Sequence, residues 1–149
     1  MTRDDFWTLI DSIDRKSLDA GNEDAAIEPL QKMMGSLSEP DLEAFEEHLS
    51  QCLHVLDGQV FADESGESSD SDDAFLYARC YVVAKGRAHH EAALKNPKLM
   101  PKTLDHWCES LLYAHRAAWS DLTGKDQSEW PFEASVSYES GSNENLWPH

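Results

Sequence analysis

Basic residues are in short supply: 12 lysines and arginines stand against 29 aspartates and glutamates, giving a formal net charge of −17. A field of that sign repels nucleic acid and anionic membrane and speeds encounters with a cationic partner. Cysteine is equally sparse. Cys52, Cys80 and Cys108 fall far apart in predicted helices with no CxxC spacing, so they read as small core residues of a reducing compartment, not as disulfides or zinc ligands. No stretch approaches the roughly 20 apolar residues of a membrane helix. Met1 to Asp5 lack the basic and apolar regions of a signal peptide, and the expected address is the cytoplasm. HExxH, GxSxG and a phosphate-cradling glycine loop are all missing, which removes the familiar enzyme signatures.

What is there points to a folded chain. Its 149 residues make one ordinary domain, and 40% hydrophobic content with five tryptophans argues against intrinsic disorder. The charge is uneven: residues 1–84 carry a net −15, residues 85–102 a net +4, and residues 103–149 a net −6.

The organising stretch is Ser71 to Gly86. Ser71 or Asp70 can cap its first turn, Asp72 and Asp73 place negative charge at the positive end of the helix dipole, and Gly86 stops it after Lys85. Phe75, Ala78, Tyr81 and Val82 form an apolar stripe, so this helix is expected to be central and packed on at least two sides. Before it, helices are predicted over about 3–19, 23–35 and 39–56. Pro29 either kinks the second or marks its true start. Residues 59–62 suggest a helical turn, and Asp63 to Asp73, with six acids, four serines and no base, reads as a mobile, solvated loop. After the central helix come a short one over about 87–94 and a long one from Thr103 to Thr123, closed by Gly124. The expected fold is an all-α, compact bundle of five or six helices over residues 1–124. Phe6, Phe45, Leu49, Phe75, Val82, Trp107 and Leu111 are its expected core. Residues 125–149 form a non-helical, partly extended tail folded back by Trp130 and Phe132, or else one that runs free after Tyr138.

With those residues in view, the chain resembles the bacterial domain-of-unknown-function 4240 family over roughly residues 4–124. The carriers are Phe6-Trp7, Leu37-Ser38 with Phe45, and above all Ser71-Asp72-Asp73-Ala74-Phe75, Arg79, Gly86-Arg87 and Asn96-Pro97. The chain departs from the family's pattern after Gly58, where Val60-Phe61-Ala62 and the acidic serine stretch stand in place of a tryptophan-bearing helix. The resemblance implies an α-helical domain and no established activity.

For function, the charge favours a protein-binding module of the immunity or antitoxin type, covering a basic surface with Asp63, Glu64, Glu67 and Asp70. The alternative is an enzyme or ligand-binding domain whose site lies at the start of the central helix, with Asp72, Asp73 and Arg79 or Arg87 facing a ligand. Asp70, Asp72 and Asp73 are the best metal candidates, but a calcium loop would place Phe75 where glycine is needed and Tyr81 where glutamate is needed. No metal or cofactor is therefore expected. Mimicry of DNA by rows of acids is a third class, interrupted by the basic segment 85–102. Oligomeric state is left open by the sequence.

Overall fold

Side-chain caps decide where the first four helices begin. The computed structural model describes residues 1–148. Thr2 and Asp5 form a reciprocal capping box that opens α1 (Arg3–Ile10), and Asp14 accepts from the amides of Lys16 and Ser17 to open α2 (Arg15–Asp19). The single first helix expected from the sequence is therefore two. Asn22 caps α3 (Glu23–Met34), which continues through Pro29, so the proline lies inside the helix and does not mark its start. Ser38 caps α4 (Glu39–His54), with Pro40 in the first turn where its missing N–H is harmless. After Gly58 comes α5 (Gln59–Asp63), then α6 (Asp72–Ala84), α7 (Arg87–Lys95) and α8 (Ala114–Thr123). Among the described residues there are eight α-helices, several short 3-10 turns and no strand, an all-α fold with more and shorter helices than the five or six expected.

Two expected segments are built differently. Residues 63–73 are no mobile loop: α5 passes into a 3-10 turn over Gly66–Asp70. Ser65 and Ser68 are fully buried, and their hydroxyls donate to the carbonyls of Phe61 and Thr103. The long helix from Thr103 is absent until Ala114. Residues 103–108 are irregular because the Cys108 amide donates to the Tyr77 carbonyl of α6, which ties the chain down before a helical ladder can form.

The core has two parts. The larger gathers Phe6, Ile10, Leu30, Phe45, Leu49 and Leu111 with Leu76, Cys80 and Val83 of α6; the smaller gathers Leu56, Phe61, Ala93 and Met100 with Phe75 and Val82. α6 thus meets apolar neighbours on two sides, as its stripe requires. Trp107, expected in the core, is only half-buried and lies edge-on to Tyr77. All three cysteines are free and buried, and burial pushes the Cys52 thiol up to about 11 and Cys108 up to about 12. Among the described residues no helix is long and apolar enough to cross a membrane.

Beyond Gly124 the chain returns over the body. Trp130 packs edge-on to His115 and Trp119 at ring separations of 5.4 and 5.6 Å, and Ser135 donates its amide and hydroxyl to Glu47. Residues 131–142 are alternately exposed and partly covered almost without a break, as an extended segment lying on a surface should be. It does not run free after Tyr138: residues 140–147 close over the ends of α4 and α6.

Candidate functional site

The start of α6 shows where the charged residues of the central run go. Ser71 is the cap, its hydroxyl accepting from the Ala74 amide, and Asp72 and Asp73 are exposed in the first turn beside the positive end of the helix dipole. Phe75 turns inward and carries the guanidinium carbon of Arg79 4.7 Å above its ring. Arg79 is wholly buried. Its Nη1 donates to the Leu53 carbonyl at 3.1 Å and its Nη2 to the Ser140 hydroxyl at 2.9 Å, while Nε has no partner. Burial pulls this guanidinium below its ordinary value, and the carboxylate of Asp57 is the leading charge that opposes the shift. Gly86 takes a φ of +106°, an open conformation only glycine adopts comfortably, and Arg87 reaches back to Asp4 of α1 at 2.7 Å. The structure therefore does not assemble Asp72, Asp73, Arg79 and Arg87 into one site: the acids and Arg87 face solvent, whereas Arg79 lies beneath.

Asp57 had no signal in the sequence beyond an acid before a glycine. It is fully buried just past α4 and accepts from four donors of the tail. They are the amides of Gly141 and Asn143 at 2.9 and 3.0 Å, the Trp147 indole at 3.0 Å and the Ser142 hydroxyl. Four donors from one short segment are what keeps a carboxylate out of water without a direct cation.

A second polar cluster lies on the other side of α4. Glu46 is buried, its Oε1 taking the Nε2–H of fully buried His115 at 2.9 Å and two N–H groups of Arg116, its Oε2 the Trp130 indole at 3.0 Å. Burial alone would raise the Glu46 carboxyl, but the hydrogen bonds from His115, Trp130 and Arg116 outweigh it and hold it low. Burial lowers His115, so the imidazole is neutral and its Nδ1 is left without a partner. Beside this cluster, a groove of about 310 Å³ runs under residues 132–139.

Of the residues expected to face a partner, three are exposed and one is not. Asp63, Glu67 and Asp70 are exposed along the end of α5 and the following 3-10 turn, and Asp72 and Asp73, next in the chain, are exposed as well. Glu64 is different, being half-buried and paired with Lys102 at 3.7 Å, with the Lys102 ammonium also donating to its carbonyl. Among the described residues no three His, Cys, Asp or Glu side chains converge on a point where they could hold a metal ion.

No curated protein and no solved structure matches the chain. The family described as "Protein of unknown function (DUF4240)" matches residues 1–121, a span that takes in α1 to α7, most of α8, Asp57, Arg79 and the whole Ser71–Arg87 run, and leaves the returning tail outside. The chain belongs to the DUF4240 family.

Proposed function

We propose that the protein is a binding module, of the inhibitor or immunity type, that engages a basic surface on another protein through the face bearing Asp63, Glu67, Asp70, Asp72 and Asp73. The observation that carries this reading is that these acids are exposed on folded backbone, not on a floppy loop. Buried Ser65 and Ser68, and the Glu67 amide on the Lys102 carbonyl, fix the turn from which they project. A charged surface held in one shape loses little conformational entropy on docking, and exposed charges steer association. Lys102 answers only Glu64, so five acids remain for a partner.

The test begins with affinity capture from cell extract on the immobilised protein, followed by stopped-flow association with the purified partner across a salt series. The on-rate should fall steeply with salt while dissociation changes little. Asp63→Lys with Glu67→Lys should lower the on-rate and leave the melting temperature nearly unchanged, since both side chains are exposed. Recovery of acidic partners alone, or an on-rate indifferent to salt, contradicts the proposal.

A further inference from the structure

Asp57 and Arg79 are sealed from solvent, yet what seals them is a segment with no fully buried residue of its own. Every residue from 131 to 148 is exposed or only partly covered. Its hold is largely polar, with Ser140 on Arg79 and Gly141, Asn143 and Trp147 on Asp57, and the Trp147 ring adds an apolar contact with Phe75. Removing a carboxylate and a guanidinium from water is costly, and uncovering them returns that hydration. The apolar burial that residues 140–147 give up when they lift is confined to two side chains, Trp147 against the smaller core cluster and Leu146 over Gly58. Release of the segment is therefore far less costly than opening the core, and it belongs at the low end of the molecule's local stabilities.

What the segment offers the residues beneath it is plain polypeptide chemistry. Arg79 meets a hydroxyl, Asp57 meets two backbone N–H groups and an indole N–H, and Phe75 meets the Trp147 ring edge-on at 6.0 Å. Gly58 lets the chain sit close, since a Cβ there would lie 2.7 Å from the Leu146 Cβ. Arg79 Nε, buried and unpartnered, is a donor the tail leaves unused. We infer that the surface floored by Asp57 and Arg79 is a peptide-recognition site, covered in the free protein by the chain's own residues 140–147. A segment of a partner protein takes their place, presenting a hydroxyl, closely spaced backbone N–H groups and an aromatic ring. A second copy of this chain has no such advantage: its identical tail competes with a tethered one at an effective concentration of about millimolar. This inference stands apart from the acidic face, because its residues differ and its test uses no basic partner.

The probe is a labelled peptide of residues 137–148, titrated into the full chain and into the full-chain double variant Ser140→Ala, Trp147→Ala. Weakening the resident tail should tighten peptide binding by about tenfold or more, the effect of losing a hydrogen bond to a charged group together with a ring contact. A peptide carrying the same two substitutions should not bind. In the unaltered chain, the amides of Gly141 and Asn143 should exchange hydrogen well ahead of those of α6, a measurement that needs no variant. Equal or absent binding to both chains, tail amides that exchange only together with α6, or a concentration-dependent dimer with swapped tails would each overturn the proposal.

Discussion

The imidazole of His115 donates to Glu46 at 2.9 Å, and both side chains are almost wholly out of water. Burial depresses His115 in the fold, and it depresses His90 and His89 likewise. In the unfolded chain these groups titrate near pH 6.5. Below that value the unfolded state binds more protons than the fold does, so stability must decrease with falling pH. The histidine contribution is complete above about pH 6.5 and is withdrawn from there down toward the depressed folded values. Glu46, held low, adds a second loss beneath the ordinary glutamate range as pH falls through its folded value. Urea melts from pH 7.5 downward should show this two-stage decline, and His115→Gln should flatten the upper stage. A stability that is level across the upper stage would contradict the assignment.

Phe75→Ala should cost about 3–5 kcal/mol, because the ring fills the smaller core cluster and supports both Arg79 and Trp147. Thermal melts report it directly, and an unchanged melting temperature would remove Phe75 from the core.

Capping of α6 divides unequally between neighbours. Ser71→Ala should cost about 1 kcal/mol, since the hydroxyl takes the Ala74 amide. Asp73→Asn should cost only about 0.3–1 kcal/mol, the share owed to the helix dipole. A loss at Asp73 clearly larger than that at Ser71 in chemical denaturation would show that Asp73 does more than sit in the first turn.

Two glycines should respond in opposite ways to alanine. Gly86→Ala meets an unfavourable φ of +106° and a Cβ 2.7 Å from the Arg15 guanidinium, so about 1–3 kcal/mol of global stability should be lost. Gly58→Ala strikes Leu146 of the tail instead. Its melting temperature should hardly move, while the Gly141 and Asn143 amides should exchange faster. A large loss of global stability in Gly58→Ala would mean that the tail is integral to the core.

The helices were legible where a cap and an apolar stripe coincide, as at Ser38 with Leu42, Phe45 and Leu49, and at Ser71 with Phe75 and Val82. The split at Asp14 was hidden because Ile13 and Leu18 are both buried and continue the stripe across the break. The stretch before Ala114 was misread for a different reason. Leu104 and Trp107 fit a helical period, but Leu104 is exposed and the local backbone follows a bond from Cys108 to Tyr77, a contact no periodicity contains. Composition made residues 63–73 look solvated, whereas two of the four serines are buried donors whose acceptors lie at Phe61 and Thr103. Asp57 and Glu46 escaped notice altogether. Their partners lie 69 to 90 residues further along the chain, so the sequence around each shows only an ordinary surface acid.

α6 supplies side chains to both core clusters, and among the described residues no other helix does. The smaller cluster holds seven buried residues, too few to persist alone once Phe75 and Val82 leave it. The larger loses Leu76, Cys80, Tyr81 and Val83 in the same event. One shared wall therefore couples the two halves, and the body should melt as a single cooperative unit whose calorimetric and van't Hoff enthalpies agree.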